Sequence, residues 1–241
     1  MKIIITAAGN GSRFSQIGVK VPKYKIIANE KPLFYWSVYS LKNFFDFEFI
    51  FIFRREIYDE KFIEKWNKKM GIKKYQIVLI DELTDGQATT TMFADKYIDN
   101  QEGVMIYNID TSIIPESMDE NMISYDGTIV VAQAPGKHWS FAKLGNDGFV
   151  SEVSEKVKIS QYASIGPYYF AKWEDFKWVW NNFREDIKKQ YKEAYICPMY
   201  KYLIDKGQKI TIFEIGMNDY TCLGTPKEIE IFDKKWLEVN K

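Results

Sequence analysis

Apolar residues in this chain follow two rhythms. Residues 2–6 hold an unbroken β-branched run, Ile3-Ile4-Ile5, which predicts a strand buried on both faces as in a parallel sheet. The run empties into a loop of small residues, Ala7-Ala8-Gly9-Asn10-Gly11-Ser12-Arg13-Phe14. Residues 32–45 then place Leu33, Trp36, Leu41 and Phe44 at helical spacing, and Pro32 suits a helix start. The pattern continues with a strand at 47–53, a helix at 56–69 and a strand at 75–80. Gly86 opens a helix carrying Ala88, Met92, Ala94 and Tyr97, and a strand at 103–108 ends just before Asp110. A strand–helix unit about every thirty residues implies parallel strands joined by right-handed crossovers.

Past Asp110 the texture changes. Residues 128–132, 141–144, 149–154 and 163–170 read as strands separated by short turns, notably Gly145-Asn146-Asp147-Gly148. Helices follow at 173–183 and 195–205, then a strand at 209–213 and a last helix after Thr225-Pro226. Trp173, Trp178 and Trp180 fall at helical spacing, which assigns them to core and cap packing. No internal repeat, linker or low-complexity segment interrupts the chain. The expected fold is α/β: a Rossmann-like, mostly parallel mixed sheet flanked by helices, with a β-rich insertion or cap. It is expected to form one domain over 1–241, with one half at 1–112 and a second half with the cap at 113–241.

Composition narrows the functional classes. A chain of 241 residues suits one α/β unit. Lys plus Arg and Asp plus Glu both number 33, so the net charge is zero. That excludes binding nucleic acid through bulk charge, while leaving room for a small anion held by two or three basic side chains. Two cysteines, Cys197 and Cys222, make neither a disulfide framework nor a Cys-x-x-Cys zinc pair, which fits a reducing compartment. The N-terminus lacks the charged-then-apolar pattern of a leader, and no window approaches 18 apolar residues. The expected location is the cytoplasm, with no membrane partner.

The glycine loop directly after the first strand is a phosphate-binding position, because backbone N–H groups can approach a ligand where no Cβ intervenes. It is not the dinucleotide fingerprint, which needs a third glycine where Phe14 stands and an acid where Arg54-Arg55 stand. Nor does it carry the Gly-Lys-Ser/Thr of a P-loop. Nine residues after Arg13 comes Pro22-Lys23-Tyr24-Lys25. Together, Ala7-Ala8-Gly9-Asn10-Gly11-Ser12-Arg13-Phe14 and Pro22-Lys23 resemble the signature of the sugar-nucleotidyltransferase (nucleotide-sugar pyrophosphorylase) superfamily. Further matches run in that family's order. They are Asp85-Gly86-Gln87-Ala88, Tyr107-Asn108-Ile109-Asp110, Ser154-Glu155-Lys156, Ile165-Gly166-Pro167-Tyr168-Tyr169 and Leu223-Gly224-Thr225-Pro226. The resemblance reaches to about residue 235.

The resemblance implies an enzyme that moves a nucleotidyl group from a nucleoside triphosphate to a phosphorylated small molecule and releases pyrophosphate. The attacking phosphate is already ionised, so positioning and cations carry the catalysis. This suits a chain with one histidine and no Ser–His–Asp or Cys–His set. By the resemblance, the loop Ala7 to Arg13, Lys23, and the turn Asp85, Gly86, Gln87 and Ala88 hold the nucleotide. Arg13 would grip the β,γ-phosphates. Lys23 would reach the α-phosphate or the acceptor phosphate, so that its loss lowers rate more than binding. Asp110 would bind Mg²⁺ and face the acceptor, which Ser140, Glu155, Lys156 and Gly166 would hold. Lys25 reads either as a further phosphate contact or as a solvated charge. His138, beside the acceptor loop, is needed for no proton transfer.

One position departs from the family. Many members carry a second metal-binding aspartate just before the Gly-Thr-Pro segment, where this chain has Cys222-Leu223. Of the nearest acids, Glu214 and Asp219, the latter is the candidate second ligand; the alternative is Asp110 acting with water. The family's compact members imply CTP and a phosphorylated amino acid, a phosphocholine-like ester or a sugar 1-phosphate, in capsule or surface-polysaccharide synthesis. UTP, dTTP or GTP with a sugar 1-phosphate is the alternative, because an amide such as Gln87 can pair with either a donor or an acceptor edge. A homodimer is one assembly open to such a chain. Two readings of other classes are a related glycosyltransferase, of whose Asp-x-Asp motif Asn108-Ile109-Asp110 is half, and a nucleotide-sensing protein without turnover.

Overall fold

The computed structural model describes residues 1–237. Thirteen strands run in chain order as β1 (Lys2–Thr6), β2 (Ile27–Ala28), β3 (Lys31–Pro32), β4 (Glu48–Arg54), β5 (Tyr75–Ile80), β6 (Val104–Asn108), β7 (Thr111–Ile113), β8 (Gly127–Gln133), β9 (Ser140–Leu144), β10 (Val150–Glu155), β11 (Tyr162–Phe170), β12 (Ile210–Glu214) and β13 (Tyr220–Cys222). The α-helices are α1 (Ser12–Ser15), α2 (Leu33–Tyr39), α3 (Glu60–Met70), α4 (Gln87–Met92), α5 (Trp173–Tyr191), α6 (Met199–Asp205) and α7 (Pro226–Phe232). No helix among the described residues is long and apolar enough to cross a membrane.

Nine strands form one sheet. Its path is β10-β9-β11-β6-β1-β4-β5, and β8 joins β11 to β12. The four strands β6, β1, β4 and β5 are parallel, and β11 then runs antiparallel to β6 and β8. The expected α/β architecture is thus what the chain adopts, with the β-rich addition built into the sheet itself. The parallel strands are buried on both faces, and their side chains divide by strand parity. Ile3, Ile5, Phe49, Phe51, Phe53, Met105 and Tyr107 pack on one side with Phe34 and Val38 of α2 and Ile63 and Trp66 of α3. Ile4, Ile50, Ile52, Val78, Ile80, Val104 and Ile106 pack on the other with Trp173, Phe176 and Val179 of α5 and Met199, Tyr200 and Leu203 of α6. Trp173 lies fully buried against Phe176, with ring centroids 4.9 Å apart, so the tryptophans of this helix pack as expected.

The departures from the expected boundaries have local causes. The helix expected at 32–45 ends at Tyr39 and resumes only as a 3₁₀ turn over Lys42–Phe44, where Leu41 leaves helical geometry. The one expected at 173–183 continues to Tyr191 and stops on a left-handed Lys192. The one expected at 195–205 begins at Met199. Pro198 disfavours helical backbone before it. Ala194 also spends its backbone on Asp85 and Ala88, donating to the Asp85 carbonyl and accepting from the Ala88 N–H. The ribbon of β7 with β13 is too short to leave an alternation in the sequence, yet it lies directly beside Asp110.

Phe51 stands in a column between Phe49 and Phe53, at ring separations of 5.6 and 6.5 Å. Phe51→Ala opens a cavity that its neighbours cannot refill. We expect it to cost about 3–5 kcal/mol, read as a lower urea midpoint; an unchanged midpoint would refute this account of the core.

Candidate active site

The first strand feeds β4 on one side, and the chain later returns to lay β6 on the other. Strand order reverses between β1 and β6, and open α/β sheets hold their ligands beyond the strand ends at such a point. Here a cleft of about 670 Å³ opens over those ends, within the size range of small-ligand sites. Its walls include Ala7, Ala8, Gly9, Asn10, Gly11, Ser12 and Arg13 from the loop after β1, and Lys23, Asp85, Gly86, Gln87 and Asp110. Thr6, Glu193 and Tyr195 line it as well, although no local motif marks them in the sequence.

The loop keeps its shape through glycine and one arginine. Gly11 sits in the left-handed region at φ +59°, and a Cβ there would press on Lys23 Cβ at 3.3 Å. Arg54, at the end of β4, has a side chain only 11% exposed, and its Nε donates to the Ala8 carbonyl at 3.0 Å. In the sequence, position 54 shows only the absence of an acid; in the fold, its cation braces the loop from below. Arg13 lies exposed at the rim of the cleft. Lys23 reaches inward and its Nζ bonds Asp110 Oδ2 at 2.8 Å. Lys25 turns away to Asp59, the N-cap of α3, at 2.5 Å, and is not part of the cleft wall.

Asp110 is held by its backbone: its carbonyl accepts from the Leu223 N–H at 2.7 Å, which draws the Gly-Thr-Pro segment against the end of β6. Gly224 faces the ion pair. A Cβ at that position would stand 3.5 Å from Asp110 Oδ2, 3.8 Å from Lys23 Nζ and 3.3 Å from Glu228 Oε2. Glu228 therefore brings a second carboxylate to this corner, from the first turn of α7, whose N-cap is Thr225. Asp219 is elsewhere. It closes a turn by accepting from the Gly216 N–H at 3.1 Å, and the register of β13 on β7 puts it beyond Ile113, at the end of the ribbon away from Asp110. Cys222 pairs with Thr111 instead. Burial, with the negative charges of Glu228 and Asp110, pushes its thiol up to about 12, so it stays neutral.

The Asp85-Gly86-Gln87 turn is clamped from behind. Gly86 has φ +154°, and a Cβ there would meet the Ala194 backbone nitrogen at 2.5 Å, so no side chain fits. The Asp85 carboxylate is paired with cations of α5. It accepts from Arg184 at 2.7 Å and Lys188 at 2.8 Å, both on α5, and from the Thr89 hydroxyl. Burial opposes its ionisation, but the hydrogen bonds from Lys188, Thr89 and Arg184 prevail and bring it to about 2. Asp85 is thus the strap that holds the turn, while Gln87 turns its side chain toward Thr6 at the end of β1.

Ser140, Glu155, Lys156 and Gly166 are not part of the cleft wall; Glu155, with a side chain only 5% exposed, lines a separate hollow of about 370 Å³. Burial raises its carboxyl above the ordinary range, against the Ser140 hydroxyl and Lys156, which both favour the anion. Lys156 sits at φ +59°, and its ammonium bonds the Tyr195 hydroxyl at 2.8 Å, with Glu155 at 3.6 Å. Gly166, at φ +117°, leaves the space that Asn108 occupies: a Cβ would stand 2.6 Å from Asn108 Nδ2. His138 is exposed beside Trp139 and is not part of the cleft wall.

No protein-family model matches the sequence, and no curated protein does. Solved structures do. A nucleoside-diphosphate-sugar pyrophosphorylase from Vibrio cholerae RC9 is 31% identical, with 97% of this chain and all of that one covered and a TM-score of 0.87. The inositol-1-phosphate CTP transferase of T. maritima shares the fold at 16% identity, covering 94% and 90% of the two chains, with a TM-score of 0.72. A UDP-glucose pyrophosphorylase complexed with UDP-glucose does so at 14%, covering 99% and 98%, with a TM-score of 0.76.

The Asp85 strap generates a pH prediction. Its folded value lies below that of a free carboxylate, so its stabilisation is complete above about pH 4 and is lost as pH falls toward 2. Asp85→Asn should melt lower at neutral pH and lose less further stability between pH 4 and 2 than the parent chain. Parallel acid-melting curves for the two proteins would rule out the strap.

Proposed function

Because the chain belongs to the sugar-nucleotidyltransferase superfamily, we propose that it transfers a nucleotidyl group from a nucleoside triphosphate to the phosphate of a small acceptor, with release of pyrophosphate. The observation that carries this reading is the convergence of Arg13, Lys23 and Asp110 with a glycine loop at one strand-end cleft. An acceptor phosphate oxygen attacks the α-phosphorus, the bond to the β,γ-phosphates breaks, and pyrophosphate carries the electron pair away. No side chain must take a proton from the attacking oxygen. The work is to bring two polyanions together and compensate the charge that moves to the leaving group.

The residues fit a divalent cation in this corner. Among the described residues no three acidic, histidine or cysteine side chains gather as a ready-made cage. Yet the Asp110 and Glu228 oxygens both face Gly224, and oxygen donors suit a hard cation that keeps water and phosphate in its shell. Asp110, with Glu228 across Gly224, would hold Mg²⁺; bound there, the ion supplies charge neutralisation between the triphosphate and the acceptor. Glu228 thereby takes the place that the sequence suggested for Asp219.

Lys23, released from Asp110 once phosphate enters, holds the α-phosphate or the acceptor phosphate. Arg13, free at the rim, closes on the β,γ-phosphates. Glu155, Lys156 and Ser140 hold the acceptor, with Gly166 giving Asn108 its place beside it. CTP is the nucleotide we favour, with a phosphorylated amino acid, an amino-alcohol phosphate or a sugar 1-phosphate as acceptor. The small side chains of Ala7 and Ala8 opposite Gln87 support a pyrimidine.

Two measurements test this. With Mg²⁺, four nucleoside triphosphates and a panel of phosphate monoesters, the protein should release pyrophosphate in at least one pairing; silence across the panel would sink the proposal. Asp110→Asn should abolish that release while circular dichroism is unchanged. Parental rates in the variant would remove Asp110 from the reaction.

A further inference from the structure

The amide of Gln87 is ambiguous in sequence, since its two ends offer opposite hydrogen-bonding edges. Its surroundings remove the ambiguity. Gln87 Nε2 and Thr6 Oγ1 are 3.2 Å apart, and Thr6 Oγ1 stands 3.3 Å from the carbonyl oxygen of Tyr107. A carbonyl only accepts, so the single Thr6 proton goes to Tyr107. The hydroxyl is left as an acceptor, and only the NH₂ end of the amide can serve it. Gln87 is therefore oriented with Nε2 toward Thr6, and Oε1 is the end that remains for a ligand.

The backbone on either side of this relay is fixed. Tyr107 lies opposite Ile5 and Asn108 opposite Thr6 in the parallel β1–β6 register. Gln87 is the first residue of α4, and its neighbours are pinned by the Ala194 backbone bonds to Asp85 and Ala88 and by the Asp85 strap. Thr6 and Gln87 both line the cleft beside Ala7 and Ala8.

We propose that Thr6 is a specificity-determining positioning residue: its hydroxyl locks Gln87 so that the amide oxygen faces the bound nucleotide, and the site selects a nucleobase that offers an N–H donor there. The inference rests on the nucleotide reading of the cleft and adds to it the polarity of the base contact. A base presenting an acceptor at this point would meet oxygen against oxygen, and a site built to hydrogen-bond one group rejects an analogue lacking it. The 4-amino group of cytosine is such a donor. A ribose hydroxyl offers the same chemistry, and the test separates the two.

The experiment measures nucleotide affinity by isothermal titration calorimetry in Mg²⁺ for the parent chain and for Thr6→Val, Thr6→Ser and Gln87→Glu. The probes are CTP, the pyrimidin-2-one ribonucleoside triphosphate in which hydrogen replaces the 4-amino group, and 2′-deoxy-CTP. In the parent, loss of the amino group should cost about tenfold in Kd, the size of one net hydrogen bond, and loss of the 2′-hydroxyl little. Thr6→Val, which keeps the side chain's shape without the hydroxyl, should shrink that ratio by about a factor of two, because the freed amide divides its time between two orientations. Thr6→Ser should restore it. Gln87→Glu, which can only accept, should keep the ratio while weakening all three nucleotides alike. A full ratio in Thr6→Val at an unchanged melting temperature, or a lost ratio in Gln87→Glu, overturns the proposal. So does a penalty that follows the 2′-hydroxyl instead of the amino group. Pyrophosphate release by the parent is followed in parallel: its absence with intact nucleotide binding overturns the reaction and leaves the affinity ratios to decide the role of Thr6. Failure of every probe to bind overturns both.

Discussion

One ion pair organises the cleft. Lys23 and Asp110 meet at 2.8 Å beyond the ends of the neighbouring parallel strands β1 and β6. The Lys23 side chain is only 14% exposed and that of Asp110 is 37% exposed, so loss of the carboxylate strands a largely buried ammonium, whereas loss of the ammonium leaves a carboxylate that water still reaches. In the proposed reaction a phosphate would replace Asp110 beside Lys23, and a divalent cation would replace Lys23 beside Asp110. The rest of the fold serves this corner. The β1–β6 register sets the strand ends level, the Leu223–Asp110 backbone bond brings Gly224 opposite the pair, and the absent side chain at Gly224 keeps the space between Asp110 and Glu228 open.

Much of this could be read in the sequence. The unbroken apolar runs gave the parallel strands because burial on both faces removes polar alternation, and Ile3-Ile4-Ile5 is the clearest instance. The glycine loop, Pro22-Lys23 and Asp110 were visible because each is a local pattern. What escaped depends on pairing between distant segments. The β7–β13 ribbon is too short to carry a period, and the segment 195–198 has a helical composition that Pro198 and the Asp85 turn override. Arg54 gave no motif at all; its meaning comes from the Ala8 carbonyl beneath the loop.

Two acids stand where the sequence did not show them. Asp85 sits in the turn that the sequence assigned to nucleotide binding, yet its charge is spent on Arg184 and Lys188. Glu228 lies in an unremarkable first turn of α7, yet the N-cap at Thr225 aims that turn at Asp110's corner. Sequence proximity to a motif marks where the backbone goes, while the direction of a carboxylate follows from the cations and caps around it. The neutral Cys222 thiol adds no charge to the corner.

The proposed chemistry is a single displacement driven by positioning and charge, with no protein nucleophile. The stereochemical course at the α-phosphorus tests that most directly. With a chiral α-phosphorothioate of the nucleotide that turns over, a single displacement predicts inversion of configuration in the product. Retention, the outcome of two successive displacements through a covalent nucleotidyl–protein intermediate, would contradict it.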